Sequence, residues 1–200
     1  MNEQVPSLQQ LLKHLQQIPY LASKNMYRVA AHFLAMDPVK AEQFCRAIME
    51  AKKNITQCIV CFTWIEKDKD CFLCTSTRRT TTVICVVETW QELLAIEKTG
   101  GYQGMYHVLG GSISPLDGLG PEDLTIDSLL ERVQNNGIEE IILATNQTPE
   151  GEATAAYIAT KLRMLPVKVS CLARGIPVGS SLEFMDRLTV YKALSERRPF

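Results

Sequence analysis

The sequence predicts an α/β fold with a helical N-terminal segment, a small finger built around four cysteines, and a parallel sheet. Three observations lead to this prediction. Apolar residues recur at helical spacing in the first part of the chain, and two C-x2-C pairs follow. From residue 82 onward, short apolar runs alternate with amphipathic stretches, which is typical of a parallel sheet covered by helices on both faces.

Three helices are predicted before the cysteines. The first is a leucine-rich stretch that begins after Ser7, which can cap it, with Gln10 completing a capping box and Pro19 ending it. The second occupies residues 23–36, and Asp37 then caps a third helix. Its apolar residues are expected to face inward, and they are Val39, Phe44, Ile48 and Met49.

The remainder of the chain alternates predicted strands and helices. The strands are the apolar runs TVICVVE, MYHVLGG, EEIILAT and VKVSCLA. The helices between them are the amphipathic stretches WQELLAIEKTGG, DSLLERVQNNG and GEATAAYIATKL. A Gly- and Pro-rich loop follows the second strand. This order of elements predicts a parallel sheet with helical crossovers.

The composition predicts a packed cytosolic protein. Of the 200 residues, 46% are hydrophobic, which is enough to build a core. The sequence contains no run of roughly 18 uncharged apolar residues, and its N-terminus lacks the apolar centre of a signal peptide. Because cytosolic thiols stay reduced, the seven cysteines argue against a disulfide framework, and so does their odd number.

Charge is unevenly distributed along the chain. Residues 1–80 contain 11 Lys and Arg against 7 Asp and Glu, whereas residues 81–200 contain 10 against 15. A positive surface is attracted to a polyanion and an acidic one is repelled. The N-terminal part is therefore the better candidate for a nucleic-acid surface, with ordinary solvated helix faces as the alternative.

The two cysteine pairs have the spacing of a metal finger. Cys58 and Cys61 form one C-x2-C pair, Cys71 and Cys74 form another, and nine residues separate the pairs. Four thiolates at this spacing can surround one zinc ion tetrahedrally and leave no open position for water. A redox function would instead call for a single pair at the start of a helix. The spacing predicts one structural Zn²⁺ per chain.

Three long strings connect this finger and sheet with a known family. They are VLGGSISPLDGLGPEDL at 108–124, ATNQTPEGEATA at 144–155 and LARGIPVG at 172–179. Together with the helical N-terminus and the four cysteines, they resemble the RecR family of recombination mediators over nearly the whole chain. The resemblance implies a non-enzymatic, DNA-binding factor of recombinational repair that forms a ring-shaped clamp. With RecO and RecF, such a factor helps to load RecA onto single-stranded DNA.

The resemblance also implies a division of the chain into four segments. They are a helix-hairpin-helix-like DNA-binding segment at 1–54, the zinc finger at 55–80, a Toprim-like domain at 81–175 and a C-terminal oligomerisation segment at 176–200. It implies binding of single- and double-stranded DNA without sequence specificity. It further implies a homo-oligomer, either a dimer or a tetrameric ring, with no membrane partner and a bacterial cytoplasmic location at the nucleoid.

The hairpin between the first two helices departs from the family pattern. Where the family reads roughly LPGIGPKSAQR, this chain reads IPYLASKNMYR at residues 18–28. Tyr20 and Ala22 replace two glycines that let the backbone approach a phosphate, so we expect this hairpin to contact DNA phosphates less closely. Lys24 and Arg28 fall on the family's basic positions, and the resemblance implies that they contact DNA.

The sheet region resembles the Toprim fold of topoisomerases, primases and some nucleases, in which carboxylates hold magnesium. Glu88 occupies the first of these positions, but the D-x-D position reads Asn146-Gln147-Thr148. Because neutral side chains hold magnesium poorly, catalysis is not expected, and the chain is predicted not to be an enzyme.

Glu150 and Glu152 leave an alternative open. With Glu88 and Asn146 they can form a site for a partner protein or a weakly bound divalent ion, or they can be ordinary acidic residues at the start of a helix. If magnesium is held by Glu88 with Glu150 or Glu152, the chain is instead a nuclease or primase-like Toprim enzyme. A magnesium-dependent cleavage assay on DNA separates the two functions.

Overall fold

The computed structural model describes residues 5–197 and residue 199, and the chain divides into two compact units with the boundary between Ile55 and Thr56. The described residues form seven helices: α1 Pro6–Leu15, α2 Ser23–Ala35, α3 Pro38–Asn54, α4 Trp90–Glu97, α5 Ile126–Asn135, α6 Pro149–Leu162 and α7 Arg187–Ser195. They also form six strands: β1 Ile55–Gln57, β2 Trp64–Glu66, β3 Thr80–Val87, β4 Gly104–Val108, β5 Glu140–Leu143 and β6 Lys168–Cys171. Short 3-10 turns lie at Pro115–Asp117, Pro121–Asp123 and Leu182–Phe184.

The first unit is built on the pairing of α1 and α2. Its core consists of Leu12, Leu15, Met26 and Ala30, with five partly buried apolar residues around them. The helix α1 begins at Pro6, before Ser7, and no side chain caps it. The predicted capping box of Ser7 and Gln10 is therefore wrong. Proline at the first helical position has no N–H, so one backbone donor fewer has to find an acceptor at this helix start.

Helix α3 begins at the predicted position. Its apolar side chains, which were predicted to be buried, are exposed. The Asp37 carboxylate accepts hydrogen bonds from the backbone N–H groups of Val39 at 3.0 Å and Lys40 at 3.3 Å. No residue of α3 is buried, and its large apolar side chains are 47–70% exposed: Val39, Phe44, Ile48 and Met49. The prediction that they face inward is wrong within the single chain, because α1 and α2 already bury their apolar faces against each other.

The second unit contains a four-stranded parallel sheet in the order β4-β3-β5-β6. Side chains alternate across it as the pleat requires. Ile84 and Val86 of β3 pack on one face with residues of α5 and α6. Cys85 and Val87 pack on the other face with Leu93 of α4 and with the cysteine finger. The predicted α/β fold, with a parallel sheet covered on both faces, is confirmed.

This topology gathers the ends of neighbouring strands at one edge. Val86 of β3 pairs with Leu143 of β5, and the N–H of Ala144 donates to the Val86 carbonyl at 2.8 Å. Because parallel strands point the same way, the residues that follow β3 and β5 meet at the carboxyl edge. Among the described residues, no helix is both long enough and apolar enough to cross a membrane.

Candidate functional site

The four cysteines of the finger converge on one point. Their sulfurs all lie within 4.8 Å of one another, with 3.9 Å between the Sγ atoms of Cys58 and Cys74 and 3.6 Å between those of Cys61 and Cys71. A tetrahedral ion with metal–sulfur bonds of about 2.3 Å places its sulfurs about 3.8 Å apart. The four side chains are thus spaced to ligate a single tetrahedral metal ion.

The backbone of the first cysteine pair is folded around its sulfur. The N–H of Phe62 donates to the Cys58 carbonyl at 3.0 Å, and the N–H of Val60 points at the Cys58 Sγ at 3.4 Å. Phe62 has a φ of 61°, which turns the chain back after Cys61. Burial opposes ionisation of Cys58, but backbone donors outweigh it and lower its pKa. This thiol is therefore prepared to act as a thiolate ligand.

The thiols of Cys61 and Cys71 ionise less readily. Burial raises the pKa of Cys71 to about 11, and the adjacent Cys74 thiol together with burial raises the pKa of Cys61. Such thiols lose their protons together when a cation neutralises them, and an all-sulfur donor set favours a soft or borderline metal. The Val108 N–H donates to the Cys61 carbonyl at 2.9 Å, so the finger is fastened directly to the sheet.

Two arginines close to the finger are already bound inside the second unit. Arg79 forms an ion pair with Glu97 at 2.6 Å and donates to the Gly104 carbonyl at 2.9 Å. Arg132 is buried and donates to the Tyr106 carbonyl at 2.6 Å. Since these guanidinium groups have internal partners, they are poorly placed to contact a phosphate.

At the carboxyl edge of the sheet, Glu88 and Asn146 are joined by two hydrogen bonds. Glu88 is buried, and its Oε1 accepts from the Asn146 backbone N–H at 2.7 Å. Its Oε2 accepts from the Asn146 Nδ2 at 2.8 Å. The contact needs a glycine at the start of α6, because a Cβ at Gly151 would collide with the Asn146 carbonyl oxygen and with Glu88 Oε1. Both oxygens of this carboxylate are therefore engaged.

The structure does not bring Glu150 and Glu152 into a shared ligand set with Glu88. Glu152 forms ion pairs with Lys192 at 2.7 Å and Arg174 at 3.3 Å, and these cations lower its pKa. Glu150 contributes its backbone carbonyl to Thr154 Oγ1 at 2.7 Å. Among residues 5–197 and 199, the four cysteines are the only group of three or more Asp, Glu, His or Cys side chains that lie close enough together to bind one metal ion.

The hairpin between α1 and α2 presents positive charge to solvent. Lys24 and Arg28 are both exposed and lie four residues apart on α2, so they share one face. From Val5 to Met36 the sequence contains Lys13, Lys24 and Arg28 but no Asp or Glu. This uninterrupted positive stretch is better suited to a polyanion than the charge of the first 80 residues as a whole indicates.

Two aromatic side chains accompany these cations, and the sequence analysis did not identify them as functional. Tyr20 is fully exposed, at 105%, and Tyr27 is 55% exposed. Tyr20 also has a φ of 64°, in the left-handed region that favours glycine. The sequence does contain a feature that could have identified Tyr20. This bulky aromatic residue stands where the family has a hairpin glycine, and the surrounding stretch has no carboxylates.

Comparison with known protein families gives two matches, one to the sheet region and one to the C-terminal segment. Residues 82–173 match the Toprim domain, and residues 175–198 match the family described as RecR, C-terminal. Three curated relatives are each named recombination protein RecR. The chain is 44% identical to the one from Rubrobacter xylanophilus over 192 residues, 96% of each chain. It is 44% identical to that of Syntrophobacter fumaroxidans over 98% of this chain and 96% of the relative, and 42% identical to that of Acidothermus cellulolyticus over 96% of each.

Proposed function

Because the chain belongs to the RecR family of recombination proteins, we propose that it is a non-enzymatic, DNA-binding recombination mediator. In this proposal, copies of the chain form a ring-shaped clamp on single- or double-stranded DNA. With RecO and RecF, the clamp loads RecA onto single strands during recombinational repair in the bacterial cytoplasm, at the nucleoid. The observation that carries DNA binding is the exposed pair of Lys24 and Arg28 on a helical pair free of carboxylates.

DNA contact by this hairpin is independent of sequence in our proposal. Lys24 and Arg28 are exposed cations on one helix face, and contacts of such side chains with phosphates position a protein on DNA without reading its sequence. Arg79 and Arg132 do not compete for this role, since both have internal partners. Removal of Lys24 and Arg28 is therefore expected to weaken binding to unrelated sequences equally.

The ion of the finger is Zn²⁺ in this proposal, one per chain and structural. Sulfur-only ligation, tetrahedral spacing and burial of three of the four cysteines support a closed site. Bound zinc would hold the two knuckles of the finger together and, through the backbone contact of Cys61 with Val108, against the sheet. Its contribution is folding free energy rather than chemistry.

We propose that the chain has no catalytic activity, and the contacts of Glu88 support this proposal. A magnesium ion at a phosphoryl-transfer site is held by several carboxylate oxygens that converge on it. Glu88 gives both oxygens to Asn146, and Glu152 is paired with two cations. A magnesium-dependent assay with single- and double-stranded DNA should detect no cleavage or synthesis. Activity that disappears in the Glu88→Ala variant would favour the Toprim enzyme instead.

Glu150, with the neighbouring Glu88, Asn146 and Glu152, is proposed as a contact for a partner protein rather than a divalent ion. The position is at the carboxyl edge of a parallel sheet, which is the edge where ligands of such folds bind. Glu150 adds a negative charge at this position, which suits a basic partner surface. In this proposal, RecO or RecF binds there.

The loading function is tested by adding purified chain and RecO to single-stranded DNA coated with single-strand-binding protein, and then following RecA filament formation. We expect faster filament formation with both factors than with RecO alone. The Lys24→Ala, Arg28→Ala double variant serves as a comparison, and it should lose most of the acceleration. Equal rates with and without the chain would contradict the mediator function.

A further inference from the structure

The hairpin between α1 and α2 contains a strained residue that packs on nothing. Tyr20 has a φ of 64°, a conformation in which the Cβ of an L residue is crowded. Its side chain is fully exposed at 105%, so no packing within the chain offsets that strain. Strained, exposed residues that persist in a fold point to a function outside the packing of the chain itself.

The surroundings of Tyr20 determine which ligand suits it. Lys24, Tyr27 and Arg28 are exposed on the first turns of the adjoining α2. The nearest carboxylate toward the C-terminus is Asp37, beyond the end of that helix. Aromatic rings next to cations that track a phosphate backbone are typical of surfaces that bind single-stranded nucleic acid, where each unpaired base offers a face for stacking.

We propose that Tyr20 stacks on an unpaired base of single-stranded DNA while Lys24 and Arg28 hold the flanking phosphates. This inference rests on the proposed DNA binding by the hairpin and adds a preference to it. A ring at this position keeps a phosphate away from the hairpin backbone but offers its own face to a base. Bases within a duplex are already stacked on their neighbours, so the ring gains this contact only with single strands and gaps.

The strain makes glycine a clean replacement. Glycine adopts a φ of 64° freely, so Tyr20→Gly removes the ring without disturbing the hairpin, and its thermal stability should be equal to or above that of the natural chain. Tyr20→Phe is the matched control, since it keeps the ring face and removes the hydroxyl. The double variant Lys24→Ala, Arg28→Ala removes the phosphate contacts and keeps the ring.

Affinities of these full-length proteins are measured for three probes of equal length. The probes are an oligothymidylate, a strand of abasic sites with the same phosphates, and a duplex. Tyr20→Gly should bind the oligothymidylate about fivefold to 150-fold more weakly, the range for loss of one stacked base, and should bind the other two probes as the natural chain does. Tyr20→Phe should match the natural chain on all three.

The outcomes separate the stacking contact from the DNA-binding premise. If the Lys24 and Arg28 double variant loses affinity and Tyr20→Gly does not, DNA binds the hairpin and the stacking proposal is wrong. Equal losses by Tyr20→Gly on all three probes also contradict stacking, because the abasic strand has no base to lose. If neither variant changes any affinity, the hairpin is not the DNA surface, and the ring is then available to a protein partner.

Discussion

At the scale of single residues, Asn146 gives the Glu88 carboxylate the partners that a buried anion needs. The two residues are 58 positions apart, and the backbone N–H and the side-chain amide of Asn146 each donate to one oxygen of Glu88. Hydrogen bonds to a charged acceptor are worth more than those between neutral groups. Asn146 therefore has two effects: it stands where a carboxylate would be a metal ligand, and its hydrogen bonds stabilise the Glu88 carboxylate.

Replacing Asn146 by aspartate should reverse this balance. Asn146→Asp removes the Nδ2 donor and sets a second carboxylate against Glu88, so the free energy of unfolding should fall by about 1 to 3 kcal/mol without metal. Mg²⁺ at millimolar concentration should restore part of the loss, because it bridges two carboxylates. Denaturant unfolding with and without Mg²⁺ measures both effects.

The control for this experiment is Asn146→Ala. It also removes the side-chain donor but adds no charge, so it should lower stability without any response to Mg²⁺. The expectation fails if magnesium has the same small effect on the aspartate and alanine variants. It also fails if the aspartate variant is as stable as the natural chain without metal.

If Lys24 and Arg28 contact phosphates, they should make the DNA affinity depend on the salt concentration. Each phosphate contact that is lost should reduce the slope of log affinity against log salt by roughly 0.7 to 0.9. The double variant Lys24→Ala, Arg28→Ala should therefore show weaker binding and a flatter salt dependence. Titrations at several salt concentrations measure the slope, and Lys40→Ala on α3 is the control with one exposed lysine removed elsewhere. Identical slopes for the natural and double-variant proteins would place the DNA on another surface.

At the scale of elements, the finger is the part of the chain that depends most on a ligand. Its strands β1 and β2 have three residues each, and every residue in them is exposed or only partly buried. Its buried residues are mostly the cysteines themselves. A segment of this size has too little apolar surface to fold alone, and metal binding supplies the missing free energy.

Loss of one ligand should therefore unfold the finger. Cys71→Ser is expected to release the metal, since zinc binding in comparable peptides is worth on the order of 10 kcal/mol. Metal analysis of protein purified under reducing conditions without chelators should give one zinc per natural chain and almost none for this variant. Cys45→Ser is the matched control, because Cys45 is an exposed cysteine on α3, and it should keep its zinc. Natural protein without zinc would contradict the assignment of the ion.

Elements that depend on local sequence were predictable, and contacts between distant segments were not. The apolar runs of β3, β4, β5 and β6 identify buried strands, and Asp37 before Pro38 marks the start of α3. The cysteine spacing likewise predicts the cluster that the fold assembles. The bond between Asn146 and Glu88 depends on the register of β3 and β5, and the pairing of Glu152 with Lys192 depends on where α7 docks. Neither follows from spacing along the chain.

At the scale of the whole molecule, each unit leaves an apolar surface uncovered. In the first unit, it is formed by the exposed apolar residues of α3. In the second, it lies in the C-terminal segment, where four large apolar side chains are 60–79% exposed: Phe184, Leu188, Tyr191 and Leu194. Exposed apolar surfaces of this kind are typical of interfaces with other chains. Two such surfaces on one chain allow a closed ring, in which each copy touches two neighbours.

Ile48 on α3 tests whether the first of these surfaces joins copies of the chain. It is 54% exposed in the single chain, so Ile48→Glu should leave the fold intact while placing a charge in any interface. The natural protein should have a mass in solution of two or more times 22.4 kDa, and the variant should dissociate at concentrations at least about tenfold higher. Gln43→Glu is the matched control, because it adds the same charge to α3 about 140° away around the helix.

Mass measurements with and without DNA then relate the assembly to the clamp. If α3 closes the ring, Ile48→Glu should both lower the mass and shorten the time that the protein stays on circular DNA, because an open assembly can leave without sliding off an end. Gln43→Glu should match the natural protein in both measurements. A monomeric natural protein would rule out the clamp. An unchanged mass for Ile48→Glu would leave the C-terminal surface, around Tyr191, as the one that joins the copies.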